Sequence, residues 1–155
     1  MSNVEQEYQL RVSLRGRRVS RTLCLLGSHT LHDLHEAIML AFDRSDPHLY
    51  SFYLRGGIRR TISTRGRGRE YSIPSLIQPL GQNLDPEASN AARTRLEALG
   101  LRAGQHFEYL FDFGDKLWHD IEVVGRGAAV VHGKGARPLI LEERGRSPRQ
   151  YNHGE

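Results

Sequence analysis

The stretch HFEYLFDFGDKLWHDIEV, residues 106–123, carries the clearest signal for the fold. Large apolar residues alternate with other residues at a period of two before Gly114-Asp115, and the alternation resumes after it. This pattern is typical of two half-buried strands joined by a tight turn. We therefore predict a β-hairpin whose large apolar side chains share one face of a sheet.

The register of this hairpin decides which side chains face the core. A three-residue loop, residues 114–116, pairs Phe111 with His119 and Asp112 with Trp118, and it keeps the aromatic residues on one face. A two-residue loop would mix acids into the apolar ladder. Because a slip of one residue turns every side chain to the other face, burial favours the three-residue loop.

Asp112, Asp115 and His119 lie within eight residues of one another, and such a group can act in acid–base catalysis or bind a metal. In the favoured register Asp112 and His119 point to opposite faces. We interpret His119 as a histidine at the edge of the core and the two aspartates as hydrogen-bonding residues of the turn. A metal-dependent or acid–base enzyme that uses these three residues, together with His35 or His48, is the alternative.

The first third of the chain predicts two strands and a helix. Tyr8–Leu14 alternates cleanly, residues 15–18 can turn, and residues 19–26 run back as a second strand. Residues 31–42 place their apolar side chains on one helical face, directly after the helix N-cap residue Thr30. This is the main amphipathic helix of the chain.

The remaining segments predict further strands and a second helix. Residues 48–54 and 138–141 have strand patterns, and the alanine-rich residues 86–99 favour a surface helix that ends at Gly100. The order indicates an α+β fold, with a mostly antiparallel sheet built from two hairpins and the main helix packed on one face. A β-grasp-like roll has the same opening order.

Length and composition limit the organisation of the chain. With 155 residues it fits a single domain, which we place at residues 1–142 with an irregular Arg-rich insertion at 55–75 and a disordered polar tail at 143–155. No stretch approaches the ~20 apolar residues of a membrane span, so we expect no membrane partner. The single cysteine, Cys24, excludes an internal disulfide, and the cytoplasm is the expected location.

The net charge of +4 is concentrated in two segments. Residues 55–69 contain six arginines and no acid, and residues 11–21 contain five arginines and no acid, which leaves the rest of the chain at −7. Arginine clusters of this kind are typical of surfaces that contact phosphate. The candidate residues for nucleic-acid binding are Arg17, Arg18, Arg55, Arg59, Arg60, Arg65, Arg67 and Arg69.

Metal, cofactor and catalytic motifs are weak. His29, His32 and His35 have a spacing that zinc and nickel sites also use. Because His29 precedes the helix N-cap and His35 borders the apolar face, we interpret them as structural. The glycine-rich turns at 125–127 and 133–135 lack the spacing of a phosphate-binding loop. We therefore predict no metal, no cofactor and no catalytic residue.

Several motifs follow one another over residues 8–124. They are Tyr8-Gln9-Leu10-Arg11-Val12, Thr30-Leu31-x-x-Leu34-His35-x-x-Ile38, His48-Leu49-Tyr50-x-Phe52, Phe107-x-Tyr109-x-Phe111-Asp112-Phe113-Gly114-Asp115 and His119-x-Ile121-x-Val123. In these motifs the chain resembles the plasmid pRiA4b ORF-3-like family. The resemblance implies a compact bacterial α+β domain, associated with plasmids and mobile elements, without a known activity. The family-motif residues are His35, His48, Asp112, Gly114, Asp115, Trp118 and His119.

Two departures from the family pattern concern possible sites. Relatives usually place Trp where this chain has Leu117, and here Trp118 follows one position later. The family's C-terminal Cys-Pro-Pro-Glu-Asp-like segment is replaced by residues 146–151. A site that relatives build from that segment is therefore absent or altered here.

Two non-catalytic functions fit these observations. The first is a binding module that contacts DNA or RNA through the Arg-rich segments, in a plasmid or mobile-element context. The second is a protein-interaction adaptor that binds a partner protein through a sheet edge or through the face that carries Asp112 and Trp118. Both are hypotheses about binding, and neither names a specific ligand.

Overall fold

The structure is a computed structural model that describes residues 5–45, 48–54, 69–72, 89–112, 114–128 and 138–146. These residues form one α-helix and eight strands. In chain order the elements are β1 Gln6–Leu14, β2 Ser20–Leu26, α1 Leu31–Ala41, β3 Tyr50–Leu54, β4 Arg69–Ser72, β5 Ser89–Asn90, β6 His106–Phe111, β7 Leu117–Ala128 and β8 Leu139–Arg144.

All eight strands belong to one sheet in the order β5-β4-β3-β6-β7-β1-β2-β8. Every neighbouring pair is antiparallel except β4 and β5, which are parallel. The predicted α+β class and mostly antiparallel sheet are confirmed. The sheet is larger and more mixed than two hairpins, and the comparison with a β-grasp roll is not confirmed.

Helix α1 covers the apolar face of the sheet. A capping box holds its start, because the Thr30 hydroxyl accepts from the Asp33 amide and the Asp33 carboxylate accepts from the Thr30 amide. Leu31, Leu34 and Ile38 are fully buried, as their helical spacing predicts. The alternating side chains of β1 and β6 form the other side of this core.

The predicted helix at residues 86–99 is wrong over the part that the structure describes. Ser89 and Asn90 form β5, and two short 3-10 turns follow at Ala91–Arg93 and Leu96–Leu99. Backbone bonds to the start of α1 replace helical bonds here, since the Leu31 amide donates to the Thr94 carbonyl and the Leu96 amide donates to the His29 carbonyl. Alanine content favoured a helix, but tertiary hydrogen bonds decided the conformation.

The register of the β6–β7 hairpin differs from the predicted register by two residues. Phe111 pairs with Leu117 and Tyr109 pairs with His119, so the loop spans five residues, 112–116. The predicted pairing of Asp112 with Trp118 is therefore wrong, and Leu110 is the partner of Trp118. Because an even shift preserves the two faces, the predicted aromatic face is nevertheless correct.

Two predicted irregular segments contain strands. Arg69–Ser72 forms β4 within the predicted insertion at 55–75, and β8 continues through Arg144, past the predicted start of the tail at 143. The other residues of the insertion, 55–68 and 73–75, and residues 147–155 of the tail lie outside the described residues. So do five of the candidate arginines, at positions 55, 59, 60, 65 and 67.

Candidate functional site

A cluster of histidine and tyrosine side chains lies between α1 and the sheet. His35 Nδ1 is 2.7 Å from the Tyr109 hydroxyl, and the His35 ring stacks on Tyr50 with ring centroids 3.8 Å apart. One helical turn away, His32 Nδ1 is 2.9 Å from the Tyr50 hydroxyl. Each histidine therefore has a tyrosine partner supplied by β3 or β6.

His119 occupies the neighbouring part of this cluster and is fully buried. Arg44, just after α1, lies 2.8 Å from its Nε2 and also covers the rings of Phe42 and Phe111. A guanidinium has only donors, so Nε2 accepts and the imidazole is neutral. His119 is thus deeper in the core than the predicted position at its edge.

Burial controls the ionisation of these groups. Burial lowers the pKa of His35 to about 3, with smaller contributions from the nearby His32 and Arg44. Burial also lowers the pKa of His119 to about 3, and the positive charge of Arg44 adds to the shift. Burial raises the pKa of Tyr109 and of Tyr50 above the usual tyrosine value. All four groups are therefore neutral near pH 7.

Asp112 closes the β6–β7 turn. Its backbone has a φ of 62°, in the left-handed region, and its Oδ1 accepts from the amides of Gly114 and Asp115. Its other oxygen lies 3.8 Å from His48 Nδ1. The Asp115 side chain is exposed in the turn. The structure therefore brings Asp112 to His48, and does not bring Asp112, Asp115 and His119 into one acid–base group.

The predicted histidine spacing does not produce a group of metal ligands in the described part of the chain. His29 Nδ1 accepts from the Leu26 amide, whereas His32 and His35 are engaged with tyrosines. The structure contains no group of three or more His, Cys, Asp or Glu side chains, among the residues it describes, that could hold a metal ion.

The opposite face of the sheet carries Trp118, as predicted, but without Asp112. Arg15 bridges two carboxylates, at 2.7 Å from Glu108 and 2.6 Å from Asp120, and its guanidinium lies 5.2 Å from the centre of the Trp118 ring. Tyr53 packs beside the same ring. These contacts cover part of the indole ring, so Trp118 is less accessible to a partner than a tryptophan without neighbours would be.

Arg17 and Arg18 lie exposed in the β1–β2 turn and make no ion pair to any described residue. The strands that flank residues 55–68, β3 and β4, lie in another part of the sheet. Tyr53 shares a cross-sheet row with Ser13, and β3 runs from there in the direction opposite to β1. The chain therefore enters the Arg-rich segment heading away from the β1–β2 turn.

A groove lies between α1 and β8, and sequence reasoning missed it. It has a volume of about 320 Å³, and five of its lining residues are apolar: Leu23, Ala37, Leu40, Pro138 and Ile140. Leu40 is 72% exposed and Ile140 is 42% exposed, although both are large and apolar. The sequence feature that could have indicated the groove is Leu40, a large apolar residue that lies outside the apolar stripe of α1. We call this feature the β8 groove.

Comparisons with known proteins agree with the motif resemblance. The sequence pattern of the plasmid pRiA4b ORF-3-like proteins matches residues 6–151, nearly the whole chain. The chain belongs to this family. No functionally curated protein matches the chain.

A solved structure shares the fold of this pRiA4b ORF-3-like chain. It is a protein of unknown function, MM3350, from Methanosarcina mazei Go1, with a TM-score of 0.70 and 16% sequence identity over 94% of this chain and 73% of that one. At this identity the likeness concerns the fold. Within the described residues, no helix is long and apolar enough to cross a membrane.

The pRiA4b ORF-3-like motif residues of this chain fall into two groups. His35 and His119 are buried between α1 and the sheet, and Asp112 holds the turn amides. His48 and Trp118 are only partly exposed and contact neighbouring rings. Each of these five side chains therefore has a contact within the chain.

Proposed function

We propose that this chain is a non-catalytic binding module that holds an extended segment of a partner protein along the outer edge of β8. The side chains that could have served in catalysis already have partners within the chain, which supports a binding function. His119 is buried against Arg44, and the Asp112 carboxylate accepts from an amide of its own turn. Binding by strand addition needs only an available strand edge and pockets for alternate side chains.

The observation that carries the proposal is the exposure of an apolar edge strand. β8 is the last strand of the sheet, and no other described strand pairs with its outer edge. Ile140 and Leu141 are 42% and 49% exposed, and the groove beside them is apolar. Proteins usually protect such edges with charges, proline or bulges, because free edges recruit other strands.

β8 carries these protective features along part of its length. Pro138 precedes the strand, and Glu142, Glu143 and Arg144 form its charged second half. The register against β2 shifts at Leu141, as in a β-bulge. The first half of the strand remains apolar. This distribution favours a short, controlled interaction over indefinite strand stacking.

Selection from a library of short random peptides displayed against the immobilised full chain tests the proposal. We expect the selected peptides to slow hydrogen exchange of the β8 amides and to lose about tenfold in affinity when Ile140→Lys is introduced. The same substitution at another exposed apolar residue, Val124→Lys on β7, is the matched control. Selected peptides that bind the Ile140→Lys variant as tightly as the original chain would overturn the proposal.

Nucleic-acid binding through the Arg-rich segments is the second candidate function. It is favoured by the exposure of Arg17 and Arg18, which have no ion pair with a described residue, and by the six arginines without an acid at 55–69. Such residues would contact phosphates and give strongly salt-dependent binding.

Binding of a labelled DNA or RNA at low and at moderate salt tests this second candidate. The test variant carries Ala at the six arginines of 55–69, and a second variant carries Arg17→Ala with Arg18→Ala. We expect each variant to weaken binding and to reduce its dependence on salt. Unchanged binding and salt dependence in both variants would remove this candidate.

A further inference from the structure

We infer that the β8 groove selects a basic segment, in which apolar side chains alternate with Lys or Arg. The inference rests on the proposed function, since it names the chemistry of the partner that the β8 edge would hold. Three features support it: the alternation that a strand imposes, the apolar floor of the groove and the charge around the groove.

The alternation follows from strand geometry. Successive side chains of a strand added to β8 point to opposite faces of the sheet, so every second one faces α1. Ile140 is the residue of β8 that pairs with Leu23 on the α1 side, and both line the groove. The partner side chains on that side therefore meet Leu23, Ile140 and Leu40, which favours apolar residues.

The charge around the groove is negative. Asp33 and Glu36 line the groove from α1, and Glu143 lies in the second half of β8. The Glu36 side chain is 64% exposed and the Glu143 side chain is 59% exposed, so both reach solvent.

The cations near the groove act mainly on β8. Arg21, 3.8 Å from Glu143, offsets part of the charge of that acid, and Arg144 pairs with Glu142. On α1, Glu36 lies 3.1 Å from His32, and neither Asp33 nor Glu36 forms an ion pair with a described Lys or Arg. His29 lines the groove, and its Nδ1 accepts from the Leu26 amide. A basic partner therefore complements the groove, and an acidic one is repelled.

A second copy of the chain fits the groove less well. Its β8 strand would bring two acids, Glu142 and Glu143, and a single base, Arg144, to the acidic groove. A basic extended segment of another protein complements the charge of the groove better.

The test uses two synthetic peptides that form strands, one alternating Val with Lys and one alternating Val with Glu. Fluorescence anisotropy measures their binding to the full chain at low and moderate salt. We expect the Lys peptide to bind more tightly, to slow hydrogen exchange of the β8 amides, and to weaken with salt. Glu36→Gln and Glu143→Gln should each weaken it by about two- to fivefold, as expected for exposed charge pairs.

Asp115→Asn supplies the matched control, because Asp115 is an exposed acid in the β6–β7 turn, away from the groove. Equal binding of the two peptides overturns the inference but leaves the proposed function standing. The same holds if library-selected peptides protect β8 and the Lys peptide does not bind. A concentration-dependent dimer that Ile140→Lys abolishes would assign the edge to a second copy and overturn the inference. If no peptide of any kind protects β8, the proposed function itself fails.

Discussion

Tyr109→Phe removes a single oxygen atom from the centre of the molecule, and its cost can be worked from the contacts there. The Tyr109 hydroxyl lies 2.7 Å from His35 Nδ1, and the tyrosine is fully buried. The substitution leaves the ring packing in place but leaves a buried imidazole nitrogen without this partner. An orphaned buried polar group costs about 1–3 kcal/mol. For a chain of this length that corresponds to a decrease of about 2–12 °C in Tm.

The companion variant His35→Phe keeps an aromatic ring stacked on Tyr50 but orphans the Tyr109 hydroxyl. In the double variant neither polar group remains, so neither is left unsatisfied. We therefore expect the double variant to cost about 1–2 kcal/mol less than the sum of the two single variants. Urea unfolding of all four proteins, followed by circular dichroism and by the fluorescence of the single tryptophan, measures this coupling.

Additive costs within about 0.5 kcal/mol would refute the reasoning, because they would show that the two groups do not depend on each other. A Tyr109→Phe variant with unchanged stability would refute it as well. Equal m values across the four proteins are needed as the control, since a changed m value indicates a change in the denatured or native state.

Three further predictions concern acidity, the turn and the end of β8. Between about pH 6.5 and pH 3 the histidines of the unfolded chain bind protons, whereas the buried His35 and His119 do not, so the free energy of unfolding falls with acidification. His119→Gln should reduce the dependence of this free energy on pH by about 1.4 kcal/mol per pH unit, as measured by urea titrations at several pH values. Asp112→Ala should destabilise the chain by about 1–3 kcal/mol in urea unfolding, through strain at positive φ and loss of two amide partners, whereas Asp112→Asn should keep most of the stability. Gly145→Ala should lower the Tm and speed hydrogen exchange in β8, because φ is 76° there and a Cβ would collide with the Arg18 carbonyl; an unchanged Tm would contradict this account.

The elements with a clear period were predictable from the sequence. β1 and α1 follow their apolar spacing and the Thr30 cap, and these local signals act over fewer than a dozen residues. The hairpin of β6 and β7 shows the limit of such signals. Period-two alternation identifies the inward face but cannot separate registers that differ by two residues, and here Asp112 lengthened the loop by accepting from its amides.

The rest of the fold and most of the candidate site depend on partners distant in sequence. The partner of His35 is Tyr109 and the partner of His119 is Arg44, each about 75 positions away along the chain. Residues 89–99 do not form the predicted helix because their backbone groups hydrogen-bond to the residues at the start of α1. The β8 groove lies between α1 and the last strand of the sheet, and no local sequence pattern predicts that these two elements are neighbours.

The cross-sheet row that joins Tyr53 to Ser13 sets the distance between the β1–β2 turn and the end of β3. Three strand spacings separate β3 from β1, or about 14 Å. Arg17 lies three residues from Ser20, the partner of Ser13, and so at most about 10 Å beyond the row. The backbone of the turn and the end of β3 are therefore within about 17 Å of each other. One strand of duplex DNA advances 3.4 Å per nucleotide, so a duplex lying along that diagonal would span the two positions with about five base pairs.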